Sequence, residues 1–187
     1  MTKNNIFIIS GPSAGVGKST IVSELLRIFP ESKKILNTMT RSPRKDEINM
    51  RDNRFVSREY FLRLKAEGRF LETNTCLGKC YGTLKSDFEK VKDEADILFW
   101  ILDVNGAKNV RGQMEGAKSI FIDIDDLDNL KHRMMERGTD DDEIEERLEQ
   151  ARKEVSHKGE YDYVVVNRHG QIDETVQEIS EIVRKNI

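Results

Sequence analysis

Apolar residues gather in short runs separated by stretches where they recur at helical spacing. "NIFIIS" (Asn5 to Ser10) is a buried strand candidate. After the glycines that follow it, Ile21, Leu25 and Ile28 fall at i, i+4 and i+7, which predicts an amphipathic helix ending before Pro30. "DILFWILDV" (Asp96 to Val104) is the most apolar run. It does not alternate, as expected of a parallel strand covered on both faces. "KSIFIDID" (Lys118 to Asp125) and "YDYVVVN" (Tyr161 to Asn167) repeat the pattern, and Ile172, Val176, Ile179 and Val183 mark one face of a last helix. Strand and helix alternating over the whole length predict a three-layer α/β fold with a parallel sheet.

Two stretches break that rhythm. Residues 37–88 are polar, carry turn signals and hold alternating pieces such as "RFLETNT", which predicts an insertion with its own small sheet. Residues 137–150, "RGTDDDEIEERLEQ", are almost wholly charged. Thr139 with Asp142 three positions on fits a capping box for the helix that follows. The core then comprises 1–36, 89–136 and 151–187, interrupted by an insertion at 37–88 and a helical lid at 137–150.

Composition narrows the function classes. A chain of 187 residues is about one domain with room for a sizeable core. Charged residues make up 35% and the net charge is -3, so nothing in the bulk charge points to nucleic acid or a membrane surface. The apolar run Ile6 to Ile9 is too short for a signal-peptide core or a membrane span, and a cytoplasmic location is expected. Cys76 and Cys80 lack zinc-ligand spacing to each other or to the scattered His132, His157 and His169. Two reduced thiols are expected.

The chemistry concentrates in "SGPSAGVGKST" (Ser10 to Thr20). It follows the first strand and opens the first helix, the placement a phosphate-binding P-loop requires. Gly15 and Gly17 leave room for backbone N–H groups to converge on phosphate oxygens. Lys18 sits where an ammonium reaches the outer phosphates, and the Ser19 hydroxyl is placed to face Mg2+. Ser13, Ala14, Gly15, Val16, Gly17, Lys18, Ser19 and Thr20 are therefore the expected ATP-binding residues. The pattern G-x-x-x-x-G-K-[ST] asks for a glycine at position 12. Pro12 stands there and the glycine is one earlier, at Gly11, so the loop is one residue long. Ala14 fits as a bulge that leaves Gly15 to Thr20 in register.

Further on, "TMTRSPRKDE" (Thr38 to Glu47) resembles the T-T-R-x-P-R-x-x-E motif of guanylate kinases. "FVSREYF", "GRFLE", "YGT", "LDVNGA", "RMMERGT", "ERLEQA" and "YDYVVVN" follow in that family's order and with similar spacing, over nearly the whole chain. The resemblance implies a P-loop NTPase fold with a five-stranded parallel sheet, a nucleoside-monophosphate-binding insertion and a lid. It implies ATP and GMP (or dGMP) as substrates, Mg2+ as cofactor, and a monomer or homodimer. Arg41 and Arg44 resemble the clamp on the acceptor phosphate, where guanidinium forks bond a dianion bidentately. Tyr81 resembles the tyrosine that donates to the same phosphate. Glu72 resembles the base reader, accepting from N1–H and N2–H of guanine, with Thr83 bonding O6. Asp103, at the C-terminal end of a central strand, resembles the aspartate near the acceptor and the water shell of Mg2+. Arg133, Arg137 and Arg147 match the lid arginines, Arg137 beside the adenine and the other two over the transferring phosphoryl group.

The departures from the family pattern fall in functional places. Beyond the longer loop, Asn37 stands where the family has a serine that touches guanine. Asn53 replaces a phosphate-binding tyrosine, Cys80 replaces the first tyrosine of Y-Y-G-T, and "NRHG" replaces N-D after the last strand. Losing one phosphate hydroxyl costs about 1–2 kcal/mol. These changes keep two alternatives open: a related kinase for another small phosphorylated acceptor, such as a ribose phosphate, and a non-catalytic guanylate-kinase-like binding module.

Overall fold

The computed structural model describes residues 5–13, 15–45, 47–136 and 138–187, so Ala14 and Arg137 lie outside the described residues. Along the chain run β1 (Asn5–Ser10), α1 (Lys18–Ile28), β2 (Ser32–Lys34), β3 (Thr38–Met39), β4 (Arg54–Phe55), α2 (Arg58–Ala66), β5 (Phe70–Cys76), β6 (Lys79–Leu84) and α3 (Lys85–Lys92). Then come β7 (Ile97–Ile101), α4 (Val104–Arg111), β8 (Lys118–Ile124), α5 (Leu127–Glu136), α6 (Asp141–Val155), β9 (Tyr163–Asn167) and α7 (Ile172–Lys185).

Five parallel strands form the main sheet in the order β2-β7-β1-β8-β9. Alternation along β1 sends Phe7 and Ile9 to one face and Ile8 to the other. Phe7 and Ile9 pack with Ile21 and Leu25 of α1 and with Val176 and Ile179 of α7. Ile8 packs with Trp100 of β7 and with Val104, Ala107 and Val110 of α4. Fully burying one such side chain is worth roughly 1.5–3 kcal/mol, so two covered faces suffice to fix the register of the sheet. The connection leaving β1 runs to β2 on one side, and the one leaving β7 crosses to β8 on the other. The crevice at this reversal, at the C-terminal end of β1, is where open α/β sheets bind ligands.

The alternating pieces between 37 and 88 form a second, mixed sheet in the order β4-β3-β6-β5. There β3 pairs parallel to β4 and antiparallel to β6. Trp100, fully buried in β7, donates its indole N–H to Thr83 Oγ1 at 2.9 Å and ties the two sheets together. No helix among the described residues is long and apolar enough to cross a membrane.

Two expectations about elements need correction. The run 96–104 yields a shorter strand, Ile97–Ile101, because Asp103 leaves the sheet to cap α4, its Oδ1 accepting from Gly106 N–H at 2.7 Å. The capping box at Thr139 and Asp142 does not form. Asp140 occupies the N-cap of α6 with no side-chain cap bond, and Asp141, Asp142 and Glu143 fill the first turn. Carboxylates against the positive helix end stabilise this start instead.

Candidate active site

A cleft of about 480 Å³ lies over the C-terminal end of β1, walled by the glycine-rich loop, the second sheet and α6. One end of it is made by Gly15 to Thr20. Gly15 and Gly17 take positive φ, 76° and 91°, as glycine permits. Gly17 is the N-cap of α1 and supplies no side-chain cap, so the N–H groups of the first turn point toward the cleft with their partial positive charge. Lys18 Nζ donates to the carbonyls of Gly11 and Pro12 at 2.8 and 2.7 Å, which curls the ammonium back over the loop. Burial lowers its pKa from 10.5 to about 8, opposed by the charges of Glu154 and Asp103. Asn167, 2% exposed, donates Nδ2–H to Val16 O at 2.9 Å and accepts from the Thr175 hydroxyl, fastening the loop to the end of β9. A Cβ on Gly17 would meet that same Nδ2 at 2.8 Å.

The opposite end is lined by Asn37, Glu72 and Tyr81, with Asp103 beside them. Glu72 is 7% exposed, and burial, with the nearby charge of Asp103, raises its pKa from 4.5 to about 7. Its Oε1 accepts from the Thr83 hydroxyl at 2.9 Å. Thr83 itself is fully buried, also lies 3.0 Å from Asn37 Oδ1, and accepts from Trp100. Thr83 thus stands behind the cleft wall, beside Glu72 and Asn37, and does not itself line the cleft. Asn37 Nδ2 donates to Ile101 O at 2.5 Å, so both ends of its amide are engaged.

Arg41 presents a guanidinium fork to the same cleft. Glu47 fills that fork with two bonds of 2.6 Å, and the ring of Phe55 supports the guanidinium from 5.4 Å. Arg44 lines the cleft nearby with its Nη1 4.0 Å from Glu47 Oε1. Asn53 also lines it and is 8% exposed. Burial raises the pKa of Tyr81, whose ring lies in the electrostatic reach of Arg41.

From α6, Arg147 reaches the cleft with Nε and Nη2 on Glu143 Oε1 at 2.8 and 2.6 Å, and Nη1 is 3.5 Å from Ser13 O. Arg133 sits on α5 and does not line the cleft. Among the described residues no group of three His, Cys, Asp or Glu side chains is placed to hold a metal ion. Ser19 and Asp103 line the same cleft. One hydroxyl and one carboxylate suit Mg2+, which keeps waters and takes its other ligands from substrate phosphates.

Three polar residues here carried no sequence assignment. Asn74 donates Nδ2–H to Asp103 Oδ2 at 2.6 Å, bridging the second sheet to the core. Glu154 accepts from Ser13, and Asn167 holds the loop. Asn74 stands two positions after Glu72 on one strand, hence on its face, and Glu154 stands seven after Arg147 on one helix, hence on its face. Strand and helix periodicity applied to the motif residues would have pointed to both.

The chain matches the family model "Guanylate kinase" over residues 3–186. It is 41% identical to a guanylate kinase of Lactobacillus johnsonii over 164 residues, 87% of this chain and 80% of the relative. It is 35% identical to one from Shewanella frigidimarina over 98% of this chain and 88% of the relative. The crystal structure of guanylate kinase from Anaplasma phagocytophilum superposes with a TM-score of 0.79 at 31% identity, covering 98% of this chain and 86% of that one. On motif order, fold and cleft alike, the chain belongs to the guanylate kinase family.

Proposed function

We infer that this protein transfers the γ-phosphoryl group of ATP to the phosphate of GMP, giving ADP and GDP. As a member of the guanylate kinase family it is a nucleoside monophosphate kinase. The observation that carries the choice of acceptor is Glu72. A carboxylate on the wall of the cleft that also holds Lys18 and Arg41 accepts two N–H donors in line, as the N1–H and N2–H edge of guanine offers. Adenine has no donor at N1.

The same geometry, with the motifs, supports roles for individual residues. Lys18 moves from the Gly11 and Pro12 carbonyls to the outer phosphates of ATP, whose charge keeps it protonated. Gly15 to Thr20 supply the amide cradle. The acceptor phosphate displaces Glu47 from the Arg41 fork, with Arg44 and Tyr81 adding to the clamp. Arg147 leaves Glu143 for the transferring group, and Arg133 joins it when the lid closes. Arg137 is assigned to the adenine by its motif alone. Ser19 would hold Mg2+, with Asp103 near its water shell, and the bound ion would supply neutralisation of phosphate charge. Transfer of this kind needs positioning and neutralisation rather than a dedicated acid or base. Action as a monomer or homodimer in the cytoplasm fits a cleft built from one chain and two unlinked thiols, Cys76 and Cys80.

The test is a coupled assay of ADP release with magnesium and ATP. Turnover that depends on GMP is expected, and ATP binding without GMP-dependent turnover would overturn the reading.

A further inference from the structure

Glu154 lies near the C-terminal end of α6 and is 3% exposed. A desolvated carboxylate needs hydrogen-bond donors. Here Oε2 accepts the Ser13 amide N–H at 2.7 Å, and Oε1 accepts the Ser13 hydroxyl at 2.9 Å and Gln150 Nε2–H at 3.1 Å. Amides in a phosphate loop normally face the anion. The Ser13 amide, which the motif assigns to ATP, faces a carboxylate instead. Ser13 precedes the extra residue of the loop, so the bidentate grip falls where the longer loop has to be brought into register. Arg147, Gln150 and Glu154 share one face of α6, and Arg147 Nη1 approaches the Ser13 carbonyl at 3.5 Å. Three groups of Ser13 therefore meet one helix face.

We propose that Glu154 is a positioning residue for phosphoryl transfer. Its carboxylate grips Ser13, sets where the lengthened loop turns toward the phosphates, and couples that loop to the helix that carries Arg147. This inference rests on the reading of the cleft as an ATP:GMP phosphotransferase.

The test uses Glu154→Gln, Ser13→Ala and the double variant. Calorimetric titration of the full chain with magnesium and a non-hydrolysable ATP analogue, without GMP, reads the loop. Steady-state rates with ATP and GMP varied in turn separate KM for each substrate from kcat. Glu154→Gln is expected to weaken nucleotide binding about tenfold, as loss of one charged hydrogen bond does. KM for ATP should rise in step, while KM for GMP stays within about twofold. Ser13→Ala, which keeps the amide bond, should weaken binding about threefold, and the double variant should lose less than the product of the two. Nucleotide affinity and KM for ATP like the wild type's in both variants would overturn the proposal, leaving Glu154 as a packing contact, even if melting temperature fell. Should Glu154→Gln not fold, Ser13→Ala decides alone: unchanged affinity overturns, threefold loss supports. Wild-type protein inactive on GMP would instead overturn the functional reading, not the grip.

Discussion

In the role proposed for it, Glu72 combines recognition with a penalty on its own ionisation. Burial holds its pKa near 7 in the fold, against 4.5 ordinarily. Guanine needs an acceptor, so only the ionised carboxylate binds. As pH falls below about 7 the protonated fraction grows, and KM for GMP should rise about tenfold per pH unit, with KM for ATP little changed. An acid limb in kcat/KM for GMP near 4.5 would contradict this. The stability sign runs the other way. Because the fold raises this pKa, the contribution of Glu72 is fully present below the unfolded value near 4.5 and is lost as pH rises through about 7. Glu72→Gln should therefore raise the melting temperature at pH 8 by a few degrees. It should also lower kcat/KM for GMP roughly a hundredfold or more, since each bond to the charged group is worth about 1.5–3 kcal/mol. A variant with ordinary GMP kinetics would remove Glu72 from the base site.

At this scale the motif residues were legible, and the partners of their supports were not. Lys18, Arg41, Glu72, Tyr81, Asp103 and Arg147 all line one cleft. Periodicity places Asn74 and Glu154 on the faces of Glu72 and Arg147, but their hydrogen-bond partners, and that of Asn167, lie 29, 141 and 151 positions away, pairings no local pattern reveals. Thr83 was legible as part of the site, but its burial behind Glu72 depends on Trp100, seventeen positions on.

Between residue and molecule stand the elements, and α1 with its loop is the one on which catalysis turns. Its start requires Gly17 at φ 91° and a bare Cα facing Asn167 Nδ2. Gly17→Ala should cost about 1–3 kcal/mol in denaturant unfolding and weaken ATP binding at least tenfold, because the loop must shift to admit the methyl group. Wild-type stability together with wild-type ATP affinity would show that the positive φ is not needed. Apolar runs made β1, β7, β8 and β9 legible. By contrast, β2 is Ser32-Lys33-Lys34, a polar edge strand held by pairing to β7, and carries no hydrophobic signal. The start of α6 was misplaced for a related reason: with three carboxylates in its first turn the helix starts without any side-chain cap bond.

On the proposed reading, the cleft of the whole molecule is not yet assembled for transfer. Arg133 stands off its wall, Arg147 is held by Glu143, and Arg41 is held by Glu47. Closing the second sheet and α6 over both substrates would release these pairs and exclude water, which otherwise hydrolyses ATP. Solution scattering should show a smaller radius of gyration with a bisubstrate analogue than without, and identical profiles would contradict closure. Fold class and the order of parts could be read from the sequence because strand–helix alternation and the motifs agree over the full length. How the parts meet could not, since it depends on bridges such as Asn74 to Asp103 that join distant segments.

The most direct measurement is ADP release with ATP and magnesium, offering GMP, dGMP, AMP, CMP, UMP and a ribose phosphate in parallel to the wild type and to Glu72→Gln. The account predicts turnover with GMP and dGMP alone, lost in large part in the variant. Turnover on a ribose phosphate but not on GMP, or GMP turnover indifferent to Glu72, would contradict it.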